Sequence, residues 1–154
     1  MNAVATPLPR RFANFNAGFG GLVDRLQPIF ALSVRLYVAR VFFASGLIKI
    51  MSWNSTLALF ANEFHVPLLP PVAAAYLGTA AELGLPVLLA LGIGTRFAAV
   101  VLFVFNIVAV ISYPDLSDAG LKDHMLWGAL ILVTFFYGPG KISVDHILQR
   151  RAAS

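Results

Sequence analysis

Two ionisable residues stand inside long apolar runs of this chain, Arg40 and Glu82, and their chemistries are complementary. A guanidinium donates hydrogen bonds and stays charged, whereas a carboxylate accepts them and can take up a proton. Each costs at least about 2.5–3.5 kcal/mol near the centre of a bilayer on insertion scales, so such groups face a bundle interior and seek partners. Counting about 1.5 Å per helical residue brings Arg40 and Glu82 to similar depths on antiparallel helices, which predicts an Arg40–Glu82 ion pair. Asn106 and Thr134 fall at comparable depth in two further apolar runs and extend the same polar layer. A ring carrying two carbonyls, such as a quinone head group, needs this set: a donor such as Arg and a protonatable partner such as Glu. The same layer also serves as structural glue that fixes helix register.

A second cluster gathers toward the opposite end: Lys49, Trp53, His65, Asp123, His124 and Trp127. The tryptophans suit an interfacial aromatic belt, and Lys49 suits a snorkelling cation. Lys49 lies nine positions after Arg40, about 180° around a helix, so the two cannot share one narrow face. His124 follows Asp123, a candidate helix cap. With Lys49, His124 and Trp127 the ligand-binding candidates are Arg40, Glu82, Asn106 and Thr134. The spaced His or carboxylate set of a closed metal site is missing, and His124 alone does not make a bis-histidine haem. No metal and no covalently bound cofactor are expected, with quinone as the reversible ligand. The zero cysteine count removes disulfides, thiolate zinc and iron–sulfur chemistry.

Elements able to hold these residues follow from composition. Of 154 residues 59% are hydrophobic and 12% charged, half the charge of about a quarter usual in soluble domains. Lipid must replace water around much of such a chain. Crossing a hydrocarbon core takes about 20 apolar residues, and four runs qualify: Ile29–Met51 with Pro28 in its opening turn, Pro70–Leu91, Thr95–Tyr113 ended by Pro114, and Asp123–Tyr137 ended by Gly138-Pro139-Gly140. Threading four spans puts Arg10, Arg11, Arg25, Arg96, Lys141, Arg150 and Arg151 on one side. Lys122 and, at the helix margin, Lys49 fall on the other, with Glu63, Asp115, Asp118 and Asp123. Basic residues mark the cytoplasmic side, which predicts a multi-pass inner-membrane protein with both termini inside. The basic excess then reflects topology rather than a nucleic-acid partner. The partner in contact is the lipid bilayer.

The expected fold is all-α, a four-transmembrane-helix bundle with interfacial helices at both termini. Phe12, Phe15, Phe19, Leu22 and Leu26 recur at spacings of 3 and 4, with Leu8 and Gln27 as limits, and read as an N-terminal helix in the interface. Ser143 is a candidate cap for a short C-terminal helix with Ile142, Ile147 and Leu148 on one side and Arg150 and Arg151 on the other. The division expected is 1–28 as an N-terminal segment, 29–140 as the transmembrane domain and 141–154 as an amphipathic tail. Ala74, Gly78 and Glu82 recur every fourth position and mark a helix-contacting face. Gly92-Ile93-Gly94-Thr95-Arg96 is a tight turn and lacks the spacing of a phosphate loop.

At these residues the sequence resembles the DoxX family of small bacterial membrane proteins, with its DoxD and MauE-like relatives. The resemblance rests on Arg40-Val41-Phe42-Phe43-Ala44-Ser45-Gly46-Leu47-Ile48-Lys49, Glu82, Gly92-Ile93-Gly94-Thr95-Arg96, His124, Trp127 and Gly138-Pro139-Gly140-Lys141-Ile142-Ser143-Val144-Asp145. It spans about Leu36 to Leu148 and implies a four-helix membrane bundle. It also implies an association with quinol oxidase or thiosulfate:quinone oxidoreductase systems. The chain would then be an accessory subunit of a membrane oxidoreductase rather than a complete enzyme, with membrane or periplasmic redox partner proteins. Two alternatives stand beside it: a small-solute or proton-coupled transporter with Glu82 titrating in a homo-oligomer, and a non-catalytic membrane assembly factor.

Overall fold

A computed structural model describes residues 10–153 of the chain, with side chains from residue 18 onward. Leu8 lies outside the described residues, and Arg10, Arg11, Phe12 and Phe15 lie outside the described side chains. The described residues form six helices: α1 Arg10–Met51, α2 Trp53–Asn62, α3 Pro71–Leu91, α4 Thr95–Ser112, α5 Asp118–Tyr137 and α6 Val144–Ala152. Four stretches, Gly18–Met51, Pro71–Leu91, Thr95–Ser112 and Asp118–Tyr137, are long and apolar enough to cross a membrane. The all-α expectation holds, and this is a multi-pass membrane protein.

Local chemistry sets the boundaries. Extended Pro70 precedes α3, whose first residue is Pro71; a proline there loses no helical hydrogen bond. Gly92 ends α3 at φ 70°, a left-handed conformation that glycine adopts without steric cost. The Ser117 hydroxyl accepts from the Gly120 amide at 3.1 Å and caps α5. The Ser143 hydroxyl accepts from the His146 amide at 3.2 Å and caps α6 as the sequence leads one to expect.

Three details differ from the expectation. The N-terminal stretch is no separate helix: α1 runs through Pro28 for 42 residues, because extending a helix is far easier than nucleating a second one. Phe19, Leu22 and Leu26 remain exposed along it. The link between the first two spans contains α2, whose Thr56 hydroxyl bonds the Lys49 carbonyl at 2.9 Å and whose Phe60 is buried against Ala74 and Ala75. Finally, α5 begins at Asp118 and Ser117 is its cap, so Asp123 does not cap it.

The spans α1, α3, α4 and α5 form a ring in which each touches two neighbours, while α2 lies on α3. Val38 and Phe42 of α1, Leu89 of α3, Ala98, Ala99 and Leu102 of α4 and Ile131 of α5 fill the centre. In lipid such helices associate through close packing and polar contacts. The spans α1 and α3 come close at Gly46, where an added Cβ would stand 3.0 Å from the Glu82 Cβ. One end of the ring carries α6 and the α3–α4 turn; the far end carries α2 and the α4–α5 link.

Candidate functional site

Glu82 is buried in α3, and its partner is Lys49. The Lys49 ammonium stands 2.6 Å from Glu82 Oε2 and 2.8 Å from Oε1. Ser45, one turn before Lys49, closes a triangle: its hydroxyl accepts from Lys49 at 3.0 Å and donates to Glu82 Oε1 at 3.1 Å. Pro86, four residues on, has no amide hydrogen to give the Glu82 carbonyl, so this helix lacks a rung beside its charged residue.

The expected Arg40–Glu82 pair does not form. Arg40 is exposed on the opposite side of α1, and among the described residues no ion pair reaches it. Depth and azimuth both decide against it: Glu82 stands level with Gly46, about 9 Å along the axis from Arg40, and the inward face of α1 reads Arg35, Val38, Phe42, Ser45, Lys49 at alternating spacings of 3 and 4, with residue 40 outside it. The single polar layer also divides. Asn106 is buried but bonds His124, with Asn106 Oδ1 2.8 Å from His124 Nδ1 and its amide donating to the His124 carbonyl at 3.0 Å. Thr134 is buried too, yet its hydroxyl returns to the Leu130 carbonyl at 3.1 Å. With α5 starting at Asp118, Thr134 falls in the last turn of the helix, near the α6 end.

What the structure does bring together is Lys49, Glu82, His124 and Trp127, all lining one cavity of about 230 Å³ with Ser45. Its walls are largely aromatic: Phe42 packs edge-on against Trp127 at 5.7 Å, and His124 against Trp127 at 4.8 Å. A second, apolar cavity of about 260 Å³ shares Lys49, Glu82 and Phe105 and is roofed by Phe60, Phe64, Val66 and Leu69 from α2 and the segment after it. A charged pair thus sits between a ring-sized aromatic chamber and an apolar one. Trp53 instead stacks on Tyr76 at 4.7 Å, and His65 is exposed outside both chambers. Among the described residues no three His, Cys, Asp or Glu side chains converge as metal ligands.

Sequence reasoning missed Arg35, the largest fully buried side chain. Its guanidinium donates to the Leu89 carbonyl at 3.2 Å, to Ala90 at 3.4 Å and to Ile142. The first two carbonyls belong to the last turn of α3, where positive charge is favoured; that of Leu89 also accepts from the Gly92 amide at 3.2 Å. Its heptad relation to Phe42 and Lys49 is the signal that marks it as inward.

Beside it, Asp145 of α6 caps α4 in trans, accepting from the Gly94 amide at 2.8 Å and from the Thr95 amide and hydroxyl at 2.9 Å. Two motifs far apart in sequence thereby clasp each other. Partial burial alone would raise the Asp145 carboxyl, but the Thr95 and Gly94 hydrogen bonds and the Arg35 charge outweigh it and hold the group below its usual 3.8. A depressed folded value stabilises above the unfolded value and ceases to do so as pH falls through the folded one. Wild type is therefore expected to melt above Asp145→Asn at pH 7, and the gap should narrow as pH falls below the ordinary 3.8 and through the depressed folded value. Differential scanning fluorimetry across that range measures it.

The family model described as DoxX matches residues 30–114. An uncharacterized protein of Haemophilus influenzae is 30% identical over 128 residues, 77% of this chain and 83% of that protein. The inner membrane protein YphA of Escherichia coli is 31% identical over 132 residues, 78% of this chain and 91% of its own length. No solved structure matches the chain.

Proposed function

The chain belongs to the DoxX family, and from that premise we propose that it is an inner-membrane protein that holds a quinone or quinol ring beside Lys49, Glu82 and His124. It acts there as an accessory to a redox partner, not as a complete enzyme. The observation that carries the reading is the Ser45–Lys49–Glu82 triangle lining an aromatic chamber of about 230 Å³ together with His124 and Trp127. Quinones supply reversible two-electron, two-proton chemistry when bound. This chain supplies the recognition: the Lys49 ammonium donates to a ring carbonyl, Glu82 accepts from a ring hydroxyl, and the aromatic walls stack on the ring and exclude water. The adjoining apolar chamber suits the first isoprenoid unit of a tail. Arg40, Asn106 and Thr134 have no direct part in this arrangement.

The inner membrane is supported by the likeness to YphA, an inner membrane protein of Escherichia coli. Both termini inside is supported by Arg25, Arg96, Lys141, Arg150 and Arg151 at the α6 end against Glu63, Asp115, Asp118 and Asp123 at the far end.

The test is purification in mild detergent, mass spectrometry of the lipophilic extract, and titration with a short-chain quinone read by Trp127 fluorescence. Bound quinone and saturable quenching are expected. His124→Gln is expected to weaken binding about tenfold, the worth of roughly one good hydrogen bond. An extract free of quinone, with quenching no different from that of free tryptophan, would overturn the assignment.

A further inference from the structure

A second pair of cavities lies at the α6 end, well away from Lys49 and Glu82. One is a cleft of about 720 Å³ lined by Arg96, Lys141, Asp145, His146 and Gln149. The other is a groove of about 420 Å³ between α1 and α5, lined by Phe30, Ala31, Val34, Val133 and Thr134. Tyr137, Gly140 and Lys141 border both. A charged compartment therefore adjoins an apolar one across these three residues.

We propose that this pair of compartments binds one anionic phospholipid, its phosphate between Arg96 and Lys141 and an acyl chain in the α1–α5 groove. Three observations support it. The first is charge: among the described residues neither Arg96 nor Lys141 meets an acidic partner, and both are exposed. The one carboxylate in the cleft, Asp145, is already taken up by Gly94 and Thr95, with Arg35 balancing its charge. Asp24, at the groove's other mouth, accepts from Gln27 at 3.1 Å and would repel a phosphate there, which leaves the Arg96 side as the headgroup side.

The second observation is depth. Arg96 stands in the first turn of α4 and Lys141 just past the end of α5, the level at which a span leaves hydrocarbon and headgroups begin. The third is the thin partition between the compartments. Gly138 and Gly140 adopt φ of 79° and 72°, and a Cβ on Gly140 would stand 3.1 Å from Ala31. Glycine keeps the wall thin at the place a lipid must cross it. A free phosphate would use only the cleft; the groove, bordered by exposed Phe30 and Tyr137, singles out the lipid.

Native mass spectrometry of the full chain in detergent, with added phosphatidylglycerol or phosphatidylcholine of equal chain length, tests this. One phosphatidylglycerol should stay bound at collision energies that strip phosphatidylcholine, and millimolar inorganic phosphate should not displace it. Arg96→Gln with Lys141→Gln is expected to cut retention about tenfold, and Val133→Trp, which fills the groove, to cut it comparably with both cations in place. Equal retention of the two lipids by wild type overturns the proposal whether or not the variants fold. Displacement by inorganic phosphate overturns it too, and would mark a small-anion site instead.

Discussion

Glu82→Ala is expected to destabilise the folded bundle by about 3–5 kcal/mol, the cost of leaving a buried charge without its partner. Lys49 would stay in the wall of the cavity it lines with Phe64 and Phe105, with only the Ser45 hydroxyl to meet it. Thermal unfolding in detergent and abundance in the membrane both read this loss. The identity of the partner is tested by charge exchange. Lys49→Glu combined with Glu82→Lys should recover a substantial part of the stability, since the 2.6 Å contact can form in either polarity. The equivalent exchange between Arg40 and Glu82 should recover none, because Arg40 faces away from α3. Arg40→Leu alone should not lower stability. Recovery by the Arg40 exchange would reverse the assignment made from the helix faces. Replacing the pair by apolar residues, Lys49→Met with Glu82→Leu, is expected to cost much less than either single change, since well-packed apolar pairs often match buried ion pairs in stability. A bundle that folds in that form but no longer quenches with quinone would separate binding from architecture.

Arg35→Ala is expected to cost a similar amount, about 3–5 kcal/mol, from lost hydrogen bonds to a charged donor and from the cavity left by a fully buried side chain. Arg35 bonds carbonyls on two separate elements, Leu89 and Ala90 at the end of α3 and Ile142 before α6. The loss should therefore be local as well as global. Limited trypsin digestion should cut after Lys141 and Arg150 faster in the variant, at temperatures where the spans remain folded. Lysine should rescue poorly, because a single ammonium cannot reproduce the planar fork that reaches both elements. Unchanged cleavage at Lys141 would show that α6 is held by Asp145 alone.

Much of this molecule is readable from its residues in order. Pro71, Gly92, Pro114 and Gly138 bound the spans, and the Ala74–Gly78–Glu82 stripe identifies the packed face of α3. That Glu82 would be buried and paired follows from the expense of a carboxylate in hydrocarbon. Which cation pairs with it does not follow from counting residues along the spans, because where α1 and α3 sit against each other along their axes is set by the close packing of Gly46 on Glu82. That offset and the rotation of α1, set by Val38 and Phe42 entering the core, together select Lys49. His124 and Asn106 come together through the α4–α5 contact, a long-range pairing that no local pattern encodes. Arg35 escapes notice for a different reason: it resembles one more basic residue near a span's end, yet its position seven before Phe42 turns it inward. The helix α2 is hidden by its shortness; ten residues between spans read as a connection until Phe60 is seen to pack on Ala74 and Ala75.

The clasp built by Arg35 and Asp145 also makes the segments between and after the spans part of what fastens the ring. At the α6 end, α1, α3, α4 and α6 are stitched together by hydrogen bonds from Arg35 and to Asp145. At the far end a main-chain bond from His65 to Ser112, 2.7 Å long, ties the α2–α3 segment to α4. The far end is fastened as well, by the Lys49–Glu82 pair, the Thr56 bond to the Lys49 carbonyl and the Asn106–His124 contact. At both tips, then, a segment outside the four spans closes the ring: α6 at one and α2 with the residues after it at the other.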